Sequence, residues 1–433
     1  MNLISNPLKI FRYLLIFLLF YTAEINQSSG QSVPTGENLS RTDPRIHTVR
    51  FFTEGLEFSL PVLELGRSHR LIFKFDELSR NPKNFHYTLV HCDADWNPSR
   101  LAASEYMQGF SDNPVNDYAF SINTTIPFVN YRLVLPNEDV RILVSGNYLL
   151  KIWEDNNKDE PIQVRPFFVT EKEVEITGEI RRATFEGYKG ESQQVAFAVN
   201  YPKFPVTDPL NEIKTVVMQN SRSDNKLTRL KPTFIRQYQL VYEEKANLFK
   251  GGNEFRNFNA KNIQTNGMGV RSVEYHDPYF HLFLEKDLPR GKELYRAWDD
   301  LNGNYLVKND RASDSDLESD YVWVHFSLSP PDQVTDDRIY VFGGLSDWQC
   351  SPVNQMKYNP GTKLYEAALL LKQGFYDYQY VLYDQDKKTV DASLFEGSHI
   401  DTENDYSFFV YYRGFSSRYD RLIGYRVINS VKR

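Results

Sequence analysis

Two cysteines, Cys92 and Cys350, stand in 433 residues, too few for a scaffold built on disulfides. Their placement in different domains predicts two separate buried thiols. Basic residues are not in excess: 57 acidic against 50 basic side chains give a net charge of −7 spread along the chain. Without a basic stripe, nucleic acid is excluded as a partner. No apolar run is long enough to span a bilayer. The one notable run, Tyr13 to Ala23, follows Lys9 and Arg12 and precedes the small polar stretch Ser28-Ser29-Gly30. It reads as a secretory signal over residues 1–30, cleaved before Gln31, which sends the mature chain beyond a bacterial inner membrane. No cysteine follows that run, so lipid attachment is not indicated.

Catalytic signatures are missing as well. The chain has no G-x-S-x-G elbow and no phosphate loop, and Gly267-Met268-Gly269-Val270-Arg271-Ser272 lacks the third glycine of a dinucleotide fingerprint. The segment 155–160 starts like a calcium loop but carries Glu160 at the turn glycine and Pro166 at the bidentate acid, so it reads as a hairpin turn. No spacing supports a carboxylate pair for glycoside hydrolysis. Eight scattered histidines and two cysteines do not make a closed zinc site. The reading is of a protein that is not an enzyme and holds no cofactor or metal.

What is abundant is aromatic: 30 Phe and 28 Tyr, against 5 Met, favour pleated surfaces. Period-two patterns dominate. "HRLIFKFDEL" (69–78) sets Leu71, Phe73 and Phe75 against Ile72, Lys74 and Asp76, and similar stretches recur at 147–155, 161–169, 173–180, 192–201 and 212–220. The expected fold is all-β, as tandem immunoglobulin-like β-sandwiches. Composition shifts at Glu171-Lys172-Glu173 and at the polar run "NDRASDSDLESD" (309–320) place domains at 31–171, 172–308 and 318–433, joined by an acidic linker at 309–317.

One cluster invites a catalytic reading. "FHYTLVHCDADWNPSRL" (85–101) puts His91, Cys92, Asp93 and Asp95 within five positions. In a strand, His91 points to one face and Cys92 to the other, so the two cannot ligate one metal. Asp95-Trp96-Asn97-Pro98-Ser99 has turn chemistry, with Asp and Asn able to bond their own backbone. Strand followed by turn is the expectation.

The same residues carry a resemblance. H-C-D-A-D-W (91–96), E-Y-x-x-G-F (105–110), D-Y (117–118), N-T-T (123–125), P-N-E-D-V (136–140) and S-G-N-Y-L-L-K (145–151) follow in order. Together they resemble the plug protein family of the type IX secretion system of Bacteroidota, and the likeness continues through the middle domain. The resemblance implies a periplasmic all-β protein that closes the periplasmic mouth of the giant outer-membrane translocon β-barrel, with no membrane span of its own. It makes loops of the first domain a docking surface, with Trp96, Tyr106, Phe110 and Tyr118 as candidate anchors. The stretch 338–386 looks like the early set immunoglobulin-like modules that accompany starch and glycogen enzymes. That likeness implies the alternative of a carbohydrate-binding protein stacking sugar on Trp348, Tyr378 and Tyr380. Gln379 stands where such modules place a sugar-binding lysine, which argues for a structural or protein-binding module.

Overall fold

The computed structural model describes residues 40–185, 187–188, 190–330 and 338–431. The expected signal segment lies outside the described residues. Apart from four-residue helices and short 3-10 turns, the elements are strands, as the alternating patterns require. Among the described residues no helix is long and apolar enough to cross a membrane.

Three sandwiches are stacked in the chain. In the first, a sheet ordered from Arg41–Thr42 through Gln163–Thr170, Gly146–Glu154 and Phe85–Cys92 to Asn113–Pro114 faces a second sheet of Ile46–Thr53, Leu71–Glu77, Val129–Leu135 and Asp117–Phe120. Between them lie Phe73, Phe75, Tyr87, Leu89, Tyr131, Tyr148 and Phe167, all buried. The rings meet edge-on or stacked, as Phe75 and Tyr131 do at 5.0 Å, geometries that aromatic quadrupoles favour.

The second core does not follow the division drawn from composition. Ile213–Gln219 pairs antiparallel with Asp405–Tyr412, which pairs in turn with Arg421–Asn429. The last two strands of the chain therefore close the sandwich begun by Glu175–Arg182 and Ser192–Asn200, and Tyr406, Phe408 and Val410 share a core with Ile176, Val195 and Val199. The third sandwich is inserted between these halves. It takes in residues on both sides of the expected linker, with Phe258, Leu282 and Leu284 in one core with Val322, Val341 and Tyr380.

The segment 309–317 is a docked one, correcting the solvated linker read from its composition. Asp316 accepts from Arg50 and from Lys74 Nζ at 2.5 Å, and the Leu317 carbonyl accepts from Ile122 N at 2.9 Å. Burial opposes ionisation of Asp316, but Arg50 and Lys74 outweigh it and hold its pKa down at about 2. The alternate face of the strand Leu71–Glu77 is thus an interface: Lys74 meets Asp316, and Asp76 meets Lys372.

Candidate functional site

The segment that raised the question of catalysis is built as a strand end and a turn. Phe85–Cys92 pairs with Gly146–Glu154 so that Asn147 opposes Cys92 and Tyr148 opposes His91. The two longest motifs therefore lie side by side. His91 is buried on the core face, edge-on to Tyr148 at 4.9 Å and near Tyr106 at 5.8 Å. Its Nε2 lies 3.1 Å from the Ser145 carbonyl, which can only accept, so Nε2 carries the proton. Burial pushes the imidazole pKa down, which keeps it neutral. A side chain at Gly146 is barred here: its φ is +137°, and a Cβ would stand 2.5 Å from His91 Nε2.

After the strand, Asp93 Oδ1 accepts from Asp95 N at 3.0 Å and Asn97 N at 2.9 Å, the Asx arrangement expected of these residues. Trp96 sits at φ +66° in that turn. The turn is anchored to the second sandwich, because Ala94 N donates to Asp420 Oδ2 at 2.8 Å. Asn147 completes the joint, donating to the Asp93 carbonyl at 3.0 Å and accepting from Tyr411 OH at 2.8 Å. Burial pushes the Cys92 and Cys350 thiols up to about 12, and both are free. A thiol held this high is a poor nucleophile at neutral pH. Among the described residues no three His, Cys, Asp or Glu side chains are grouped to hold a metal ion. The H-C-D-A-D-W and S-G-N-Y motifs are a joint between sandwiches.

Other motif residues also join parts. Thr125 donates from N and Oγ1 to Asp320 Oδ1, at 2.6 and 2.9 Å. Asn137 Oδ1 accepts from Asp139 N and Val140 N, and its Nδ2 donates to Tyr87 OH at 2.8 Å.

The four candidate anchors divide. Tyr106 is buried, its hydroxyl donating to the Leu89 carbonyl at 3.1 Å. Trp96 is buried against Phe168, ring centroids 5.3 Å apart. As placed, neither ring can meet a protein partner, a correction to the docking role expected of them: Trp96 lies in the turn after its strand, Tyr106 ends the short helix Ala103–Tyr106, and both rings face inward. Phe110 and Tyr118 do face out, at 78% and 44% exposure. No ring contact joins those two, but Tyr118 stands beside Phe120, 50% exposed, with centroids 6.0 Å apart, and Ile122 follows at 49%. These three lie in or just after Asp117–Phe120, the edge strand of its sheet. Tyr118 and Phe120 project on the same side as the buried Tyr131, but at the margin, beyond the reach of the facing sheet. Phe120 and Ile122 were missed from sequence, although the alternation of Asp117-Tyr118-Ala119-Phe120 placed Phe120 on the face of Tyr118.

The proposed sugar platform does not exist in this arrangement. Tyr378 and Tyr380 are buried, and both hydroxyls donate to Asp287 Oδ2, at 2.8 and 2.7 Å. Asp287 is held in turn by Arg256 at 2.7 Å, and Arg256 and Arg290 both bind the buried Glu396. The two tyrosines are therefore core residues tied to an ion-pair network. Trp348 is half-buried against Phe342, with Arg222 over its ring at 5.0 Å.

Comparison with known proteins adds the following. The model of the type 9 secretion system plug protein first domain matches residues 46–171. A crystal structure of a hypothetical protein from Parabacteroides merdae is 36% identical, with a TM-score of 0.87 over 90% of this chain and 99% of that one. A Pseudomonas fluorescens alkylpurine DNA glycosylase bound to abasic-site DNA is also matched, at 10% identity and a TM-score of 0.15 over 30% of each chain, which carries no structural likeness. No curated protein matches.

Proposed function

Because the chain belongs to the type 9 secretion system plug protein family, we propose that it is a non-enzymatic plug that closes the periplasmic opening of the outer-membrane translocon barrel. Exported by the leader read in residues 1–30, it works in the periplasm. The observation that carries the reading is the exposed apolar margin Tyr118, Phe120 and Ile122, inside the segment that the family model covers. Exposed apolar and aromatic groups gathered on one edge mark protein contact surfaces, and aromatics carry much of the energy of such contacts. An unpaired edge strand also offers main-chain groups to a β-structured partner. A plug further needs to be rigid, and buried charge pairs and motif-borne hydrogen bonds tie the three sandwiches together.

The test is affinity capture of the tagged mature protein from detergent-solubilised envelopes, with mass spectrometry of the bound proteins. A very large outer-membrane barrel is expected with the native chain. The double variant Tyr118→Asp, Phe120→Asp should lose at least about tenfold of it while its melting temperature stays put, both side chains being outside the core. Undiminished capture of the barrel by that variant would move the docking surface elsewhere; capture of no barrel by the native chain would end the plug reading.

A further inference from the structure

The even spread of charge along the chain has one local exception. Residues 225–242 carry four basic side chains and no acidic one, in a chain whose net charge is −7. Within this stretch Phe234–Arg236 hairpins onto Gln239–Tyr242 and forms an outermost strand of the second sandwich, with a free edge. Phe234, Ile235 and Tyr238 are each about half exposed there. We propose that this hairpin docks the protein on the surface of an anionic lipid bilayer, its apolar side chains among the headgroups and its cations against the lipid phosphates.

Successive residues of a strand point to opposite faces. Ile235 stands opposite the core residue Leu240, and Phe234 opposite Val241 on the other face. Arg236 projects with Phe234, its guanidinium 5.9 Å from the ring centroid. Tyr238 holds the turn at φ +57°, and its carbonyl accepts from Tyr201 N at 2.9 Å, which sets the segment bearing Lys203 beside the hairpin. Lys203, Lys231 and Arg236 are exposed, and among the described residues no carboxylate pairs with them. Neighbouring acids are engaged elsewhere: Glu243 with Arg181 at 3.4 Å, and Glu212 with the Thr207 amide at 2.8 Å. Apolar groups on both faces of a ribbon suit a fluid layer that surrounds it, whereas a protein groove covers one face. At headgroup depth water still serves the main-chain groups of the free edge, which the hydrocarbon core would leave unpaired. Tyrosine favours that boundary, and each cation near an anionic bilayer contributes ~1 kcal/mol. Because the chain as a whole is negative, an anionic surface attracts it through this patch and repels it elsewhere, so the patch also sets the orientation. The inference is independent of barrel docking, since Tyr118 and Phe120 belong to the first sandwich.

The test is co-sedimentation of the mature chain with vesicles of phosphatidylcholine containing about one third phosphatidylglycerol, against vesicles of phosphatidylcholine alone. Binding at least about tenfold stronger to the anionic vesicles is expected, and its loss in about 1 M salt, where screening shortens the reach of charge to about 3 Å. Lys231→Ser with Arg236→Ser should weaken binding about thirtyfold, two cations at ~1 kcal/mol each. Phe234→Ser with Ile235→Ser should weaken it at least about tenfold and leave the salt dependence unchanged. All four side chains are exposed, so melting temperatures should stay put. Tyr118→Asp with Phe120→Asp should bind vesicles as the native chain does, which separates this surface from the barrel contact. Equal binding to neutral vesicles, undiminished binding by the charge variant, or no binding to either vesicle would each overturn the assignment. In the last case, loss of a captured envelope protein by the hairpin variants would give the surface to an acidic protein partner instead.

Discussion

Replacing Lys372 by methionine is expected to cost about 3–5 kcal/mol, the largest loss from any single side chain at the junction of the first and third sandwiches. Lys372 Nζ lies 2.6 Å from Asp76 Oδ2, with side-chain exposures of 0% and 1%. It donates as well to the Asp316 carbonyl at 2.5 Å and stands 3.9 Å above the Phe128 ring. Asp76 takes further bonds from Asn130 Nδ2 and Tyr321 OH, both at 2.6 Å. Around the pair, Ile126 and Phe128 of the first sandwich pack on Tyr321 of the third. Methionine fills the volume of the lysine stem but leaves a carboxylate in a closed, largely apolar site. That uncompensated charge, more than the lost attraction, sets the cost, because desolvation has already consumed most of what the pair gains.

The same reasoning predicts the double variant. Asp76→Asn with Lys372→Met removes both charges while asparagine still accepts from Tyr321, so most of the loss returns, to within about 1–2 kcal/mol of the native chain. Asp76→Asn alone, leaving the ammonium unpaired, should resemble Lys372→Met. Urea denaturation followed by hydrogen exchange at the strand Leu71–Glu77 measures all three. A loss under about 1 kcal/mol for Lys372→Met would show that the site is wet, as exposed pairs are.

These junctions mark where sequence reading stops. Strands were legible because alternation of the kind in Leu71-Ile72-Phe73-Lys74-Phe75 is a local property, and the expected strands at 69–78, 147–155 and 192–201 match Leu71–Glu77, Gly146–Glu154 and Ser192–Asn200. Alternation states which face is apolar, not which strand lies alongside. Nothing local joins Ile213–Gln219 to Asp405–Tyr412, so the closing of the second sandwich by the end of the chain was invisible. Lys372 ends the run Leu369-Leu370-Leu371, where a terminal lysine reads as solvated; only its distant partner Asp76 makes it a core residue. Tyr378 and Tyr380 read as a stacking surface because Asp287, which satisfies their hydroxyls, is remote in sequence. Among the candidate anchors, Phe110 and Tyr118 are exposed, while Trp96, in a turn, and Tyr106, at the end of the short helix Ala103–Tyr106, face inward, a direction that composition does not encode.

A buried carboxylate in the third sandwich gives the second large effect, one that depends on pH. Asp377 is fully buried, and its Oδ2 accepts from Leu301 N at 2.5 Å and Gly303 N at 3.1 Å, while its Oδ1 has no partner. Burial, followed by the negative charge of Asp300, raises its pKa from 3.8 to about 8, against the two backbone bonds. A folded-state pKa above the unfolded value means that the native chain binds the extra proton between those limits. Stability is then lost as pH rises from about 4 to about 8, by up to ~1.4 kcal/mol per pH unit and approaching ~5 kcal/mol over the window. Asp377→Asn keeps an oxygen for the Leu301 and Gly303 amides and removes the charge. Against the native chain it should be neutral or slightly less stable below about pH 3, where Asp377 carries its proton in both states, and more stable by several kcal/mol at pH 8. Asp316, whose depressed pKa contributes stability that is lost only as pH falls below about 4, is common to both chains and cancels in the difference. Melting temperatures of the two proteins across this range decide it: curves that stay parallel would mean that the Leu301–Gly303 amides hold Asp377 ionised at neutral pH, with its charge already compensated in the fold.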